Sequence, residues 1–357
     1  MRIAIKTEMT KDHLGNFRLF SILSVALVVS LLSCNSKQVT ILESDRVLQK
    51  HENVVWSVGF TEDDRNVFSG SSIRNCIVWD LETNTSKEYG YNNSEGVVSL
   101  SQLVGNLLVA TMRDGSIISV NLSDDEQKGM KSMDYTTVLC SAVNPIDSSI
   151  WSGHLDGTLR MQNLEDLQKG EQDKSGKRKR PLYQKQEPKS ILKGHRQSLA
   201  SLSISDRGRI AISAGYDGAI ILWDLQKGIQ LQKLKGHSAA ATCVALSPDD
   251  KLAVSGSIDG TVKIWDVVEG EEIGVLAEDE DIIYSIAFSE EGKYFLTGSR
   301  EGRIALWESA TGKRIDTYEA SSFAVYSLAF SHDGNYAVSG GEDGLVRLWR
   351  INVELSL

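Results

Sequence analysis

The sequence predicts an all-β chain closed into a ring of seven four-stranded sheets. Three observations lead there. Hairpin signatures recur at a fixed interval of 42 residues through the last third of the chain. Weaker copies continue the series upstream. The final copy stops one strand short, and a segment near residue 45 resembles the missing piece.

The clearest copies are YDGAIILWDL (216–225), IDGTVKIWDV (258–267), REGRIALWES (300–309) and EDGLVRLWRI (342–351), which place Trp223, Trp265, Trp307 and Trp349 in register. RDGSIISVNL (113–122) and LDGTLRMQNL (155–164) put Val120 and Gln162 at the tryptophan position, and SIRNCIVWDL (72–81) keeps Trp79-Asp80 without the Asp-Gly. An alternating apolar and polar run precedes each tip, such as KLAVSGS (251–257), and another lies further upstream, such as SIAFSEEG (285–292). Alternation at period two, bounded by Gly, Asp and Asn, is the strand signal. Asp-Gly between two such runs predicts a tight hairpin, because glycine takes a positive φ without steric cost. With a fourth strand in the linker, such as IQLQKLKG (229–236), each unit makes one blade of a β-propeller.

The last unit ends at its third strand, near Arg347 to Val353. Residues 39–50 are therefore expected to supply the outer strand of blade seven, joining both ends of the propeller in one sheet and leaving no open edge. One insertion breaks the period. Between Gln162 and Trp223 the spacing is 61 residues, and the excess falls in the polar stretch 165–188. Its run Lys177 to Arg180 is four consecutive basic residues. A solvated loop, a patch for anionic lipid or polyanion, and a nuclear import signal are the readings open to it.

Here the resemblance to the WD-repeat family becomes specific. Trp-Asp closes units at Trp79-Asp80, Trp223-Asp224 and Trp265-Asp266, and Gly-His opens them at Gly194-His195 and Gly236-His237. The resemblance covers roughly residues 39–351. It implies a hydrogen-bonded tetrad of His, Ser or Thr, Asp and Trp in each complete blade. The matching sets are His195, Ser213, Asp217 and Trp223, then His237, Ser255, Asp259 and Trp265. Blades six and seven lack the histidine, and blade six has Glu301 where aspartate belongs. A His-Asp-Ser set also suggests a catalytic triad, but this one recurs with the repeat, whereas an active site occurs once. The resemblance further implies a partner site at one mouth of the central channel. Mapped through the repeat, that mouth takes Trp56, Tyr284 and Tyr326 from the starts of inner strands and Arg113, Tyr216 and Arg300 from the positions before the hairpin tips. Aromatic residues and arginine dominate interface energetics; packing between blades is the alternative role for these side chains.

The N-terminal segment is of another kind. Residues 19–33 read LFSILSVALVVSLLS, fifteen residues without a charge, after Lys6, Lys11 and Arg18. A basic region followed by a short apolar run describes an export signal (1–33), and the run is too short to span a bilayer easily. LLSC at 31–34 resembles a bacterial lipoprotein signal, which implies lipidation of Cys34, a tether at 34–38 and an exported propeller (39–357) held at a membrane surface. A plain secretory signal, a single-pass anchor and a cytoplasmic scaffold whose leader is misread stay open.

Composition narrows the rest. A formal net charge of -10 disfavours nucleic acid as a partner. Cys76, Cys140 and Cys243 fall in separate blades and fit neither a zinc pattern nor CxxC, so they read as core residues. No nucleotide-binding, metal or hydrolase motif occurs in its proper context. The expectation is a monomeric, non-enzymatic scaffold without metal or cofactor that binds a protein or peptide; a propeller hydrolase is the lesser alternative.

Overall fold

In the computed structural model the described residues are 42–48, 51–73, 75–90, 96–103, 106–132, 136–164, 185–277 and 281–352, and among them there are strands and turns but no helix. Cys34, the segment expected to be an export signal and the Lys177 to Arg180 run lie outside them.

The strands group into seven sheets. Blade one is β2 (Val55–Phe60), β3 (Asn66–Ser71), β4 (Asn75–Asp80) and β5 (Thr85–Gly90). Blade two is β6 (Val97–Leu103), β7 (Leu107–Met112), β8 (Ser116–Asn121) and β9 (Gln127–Ser132). Blade three is β10 (Val138–Val143), β11 (Ser149–His154), β12 (Thr158–Asn163) and β14 (Ser190–Lys193), with β13 (Lys185–Gln186) between them in sequence. Blade four is β15 (Leu199–Ile204), β16 (Ile210–Gly215), β17 (Ala219–Asp224) and β18 (Ile229–Lys235). Blade five is β19 (Ala241–Leu246), β20 (Leu252–Ser257), β21 (Thr261–Asp266) and β22 (Glu271–Ala277). Blade six is β23 (Ile283–Phe288), β24 (Tyr294–Ser299), β25 (Arg303–Glu308) and β26 (Lys313–Glu319). Blade seven is β27 (Val325–Phe330), β28 (Tyr336–Gly341) and β29 (Val346–Ile351), completed by β1 (Leu42–Leu48).

The inner strands touch one another in the cyclic order β2, β6, β10, β15, β19, β23, β27 and back to β2, so the ring is closed. Closure uses the N-terminal strand as the sequence predicts. β1 runs antiparallel to β29, with Leu42 opposite Ile351 and Leu48 opposite Val346. The seam buries Leu48, Val338, Val346 and Leu348 of blade seven against Val55, Phe60, Ile77 and Trp79 of blade one. Asp64 ties the same seam by accepting the amide N–H groups of His332 and Asp333, each at 2.9 Å.

The core lies between blades. Ile220, Leu222 and Leu234 of blade four, for example, bury against Val244, Ala253 and Trp265 of blade five. Each buried Val, Leu or Ile side chain contributes about 1.5–3 kcal/mol by leaving water. The Gly-containing hairpin tips adopt the expected positive φ, including Glu301-Gly302. Gly302 has φ +85°, and a Cβ there would lie 2.1 Å from the carbonyl oxygen of Ser321 in the next linker. Glycine is thus required twice, for its backbone angle and for the close approach of the neighbouring blade.

Blade two departs from the four-strand expectation. The end of the insertion returns to it as β13, which pairs in parallel with β9, Lys185 opposite Lys131 and Gln186 opposite Ser132. The same linker then forms β14 on the edge of blade three. A segment that reads as polar loop therefore covers part of one blade's outer edge before completing the next.

Candidate functional site at the channel mouth

In blade four, His195 Nδ1 lies 2.8 Å from Asp217 Oδ1, His195 Nε2 lies 2.8 Å from Ser213 Oγ, and Trp223 Nε1 donates to Ser213 Oγ at 2.8 Å. The indole can only donate. Ser213 therefore accepts from it and gives its own proton to His195 Nε2, which leaves Nδ1–H for the carboxylate. Blade five repeats the set: His237 Nε2 is 2.7 Å from Ser255 Oγ, Trp265 Nε1 is 2.8 Å from it, and His237 Nδ1 is 3.1 Å from Asp259 Oδ2.

Charge follows the same logic. Burial holds His195 and His237 below the ordinary imidazole range, against the opposing pull of Asp217 and Asp259. Burial alone would raise Asp217, but the amide of Arg196 and the His195 ring outweigh it and hold the carboxyl near about 2. Burial would likewise raise Asp259, yet Thr261, the Ser238 amide and His237 bring it to about 2. A neutral imidazole beside an ionised carboxylate, with the serine wholly buried, is a structural arrangement that offers a substrate no access.

Other blades keep parts of this network. His51 Nε2 and Trp79 Nε1 share Ser69 Oγ in blade one, at 2.7 and 3.0 Å, while Ile73 takes the aspartate's place. The 18-residue spacing from His51 to Ser69, equal to that in blades four and five, is the sequence signal for this set. In blade six Thr297 accepts from Trp307, and Asp281 of the linker accepts the Glu301 amide at 2.9 Å, the reverse of blade four, where hairpin Asp217 accepts a linker amide. In blade seven Ser321 stands in for histidine and donates to Asp343 at 2.9 Å.

The mouth is built by a device that recurs in all seven blades. The pairing of first and second strand slips between Val55 and Ser57, Val97 and Ser99, Val138 and Cys140, Leu199 and Ser201, Ala241 and Cys243, Ile283 and Ser285, and Val325 and Ser327. The residue skipped in each case is a bulge, which re-aims a side chain out of the strand's alternation. These residues are Trp56, Val98, Leu139, Ala200, Thr242, Tyr284 and Tyr326. Two positions before each bulge, a carbonyl accepts the amide of the hairpin-tip residue: Ser72, Arg113, Leu155, Tyr216, Ile258, Arg300 and Glu342 donate at 2.8–3.1 Å. Bulge and tip are thereby locked side by side in every blade.

Three consecutive blades carry aromatic bulges. Trp56 stacks on Tyr326 with centroids 4.5 Å apart and planes at 30°, and Tyr284 meets Tyr326 at 5.2 Å. The Arg113 guanidinium lies over the Trp56 ring at 5.8 Å. Burial raises the Tyr284 phenol; Arg300 pulls it down, and Tyr216, Asp281 and Glu342 push it up. Arg300 Nε is 3.7 Å from the buried Asp281 carboxylate. Of the six positions named from the sequence, Arg113, Trp56, Tyr326 and Tyr284 form one unbroken row, and Arg300 and Tyr216 lie near Tyr284. The sequence reading missed Glu342, and it missed Leu155 and Ile258, which are 56% and 43% exposed beside Tyr216 at 47%. The tip offset that locates Arg300 locates these as well.

The three cysteines in the ring are free thiols. Burial pushes Cys76 far above its ordinary value and Cys140 up to about 12. Among the described residues no group of His, Cys, Asp and Glu side chains is arranged to hold a metal ion, and no helix is long and apolar enough to cross a membrane.

Fold and repeat define a closed propeller of seven blades. The family described as WD domain, G-beta repeat matches residues 42–80, 186–224, 228–266, 270–308 and 312–350, more than half of the chain, and the protein belongs to that family. A search of curated proteins finds no match. The repeats and the fold support a protein-interaction scaffold, the class that propellers of this family generally serve.

Proposed function

We propose that this chain is a monomeric, non-enzymatic scaffold, exported and lipid-anchored at Cys34, whose channel mouth seats a protein or peptide partner. The row Arg113–Trp56–Tyr326–Tyr284 carries this reading. It gathers onto three adjacent blades and one neighbouring tip the residue types that make interface hot spots. A triple substitution, Trp56→Ala, Tyr284→Ala and Tyr326→Ala, tests it by pull-down in the native host. Loss of the partner recovered with wild type is the expected result. Equal recovery, with an unchanged melting temperature, overturns the mouth as the site.

The anchor rests on the uncharged run 19–33 followed by LLSC. Metabolic labelling with a palmitate analogue is expected to mark wild type and not Cys34→Ala. Label that persists in the variant overturns lipidation at that residue.

A further inference from the structure

Building on the mouth as the partner site, we infer that the segment it seats is an acidic peptide: an extended stretch with an aromatic or aliphatic anchor flanked by aspartate or glutamate. The anchor's place is the floor formed by Trp56, Tyr326 and Tyr284, half-buried and already stacked, so little ordering accompanies binding. The flanks follow from charge. A guanidinium stands at each end of this floor, Arg113 from blade two and Arg300 from blade six, in a chain of net charge -10.

The two arginines are held in different ways. Arg113 is exposed, rests on the Trp56 face and has no ion pair among the described residues. A guanidinium held over a ring still presents donors of its fork to a carboxylate. Arg300 is steadied from below by Asp281, whose carboxylate also accepts the amides of Ile282 and Glu301 at 2.8 and 2.9 Å. The Asp281 side chain is 1% exposed and that of Arg300 is 54% exposed, so Asp281 is committed to the protein while the guanidinium faces solvent.

Glu342 sets the spacing. It lies near both tyrosines, between the two arginines in ring order, and repels a carboxylate placed over the centre of the floor. The partner's acids therefore belong at the ends and its uncharged anchor in the middle. A cationic anchor is disfavoured because Arg113 already stands over the Trp56 ring. Beyond the arginines, Leu155, Tyr216 and Ile258 line the opposite lip and give an extended segment apolar contact across the opening.

A random peptide library displayed on phage, selected against the full chain, tests this. Enriched peptides are then synthesised and their affinities compared for wild type, Trp56→Ala, Arg113→Glu and Arg300→Glu, with melting temperatures as folding controls. The expected peptides carry Asp or Glu on either side of an aromatic or aliphatic residue. They lose binding to Trp56→Ala, weaken at least about tenfold with either charge reversal, and weaken as salt rises. Peptides that need Trp56 but are basic or uncharged, and bind Arg113→Glu as well as wild type, overturn the acidic preference and leave the mouth as a site. Enriched peptides indifferent to Trp56→Ala, or no enrichment at all, overturn the mouth reading and this inference together.

Discussion

In blades four and five the second and third strands are pinned by an imidazole, a hydroxyl, a carboxylate and an indole, whereas blades two and three make the same sheets without that set. Blade two puts Val120 at the indole position, fully buried among Leu108, Ala110, Met112 and Ile118. Blade three moves its large aromatic one strand inward: Trp151 of β11 packs on Leu159, Leu199 and Trp223 and donates to Ser149 at 3.1 Å. Its histidine moves too, so that His154 binds Ser152 through Nε2 and Thr136 through Nδ1, each at 2.9 Å. The backbone ladder and the buried apolar volume are common to all four blades. The hydrogen-bonded network is an addition in two of them, replaceable where packing suffices.

The largest expected contrast comes from removing the central side chain of each kind of blade. Trp223→Ala is expected to cost about 3–5 kcal/mol and Val120→Ala about 2 kcal/mol, read from urea denaturation. Equal losses would mean that the indole acts as filler and its hydrogen bond as an accessory. A smaller contrast separates the hydroxyls. Ser213 serves two buried donors or acceptors and Ser149 one, so Ser213→Ala is expected to cost about 2–3 kcal/mol and Ser149→Ala about 1 kcal/mol.

Acid gives the mildest probe near neutrality. His195 and His237 have lowered values in the folded chain, so the unfolded chain takes up protons first. That stability is present above about pH 6.5 and is lost as pH falls through the folded values. Asp217 and Asp259, also lowered, add stability above their ordinary 3.8 that is lost as pH falls toward about 2. Both act in one direction. The denaturation midpoint is expected to drop from pH 7 to pH 3, and Asp217→Asn with Asp259→Asn is expected to flatten the lower part of that drop. A midpoint constant with pH would break the assignment.

The same contrast explains what the sequence disclosed. Tips such as Asp217-Gly218 and Asp259-Gly260 are local signals, set by one backbone angle, and their spacing exposed six units even where Val120 and Gln162 replace tryptophan; Trp79-Asp80 marked the seventh. The aromatic row of Trp56, Tyr326 and Tyr284 could be aligned from the sequence because the bulge recurs at one phase of the repeat. Trp151 and His154 were not, since their groups reach the same space from a different strand. Asp281 was hidden for a related reason: it sits two residues past the histidine position and bonds in the opposite sense. β13 left no pattern, because two residues paired in parallel carry no alternation to read.

The register of β1 on β29 sets where the ends of the closing sheet lie. Leu48 meets Val346 beside the hairpin tips, so Leu42, opposite Ile351, marks the far end of the sheet from the mouth. The first strand of the closing sheet thus begins, and its last strand finishes, at the same far end.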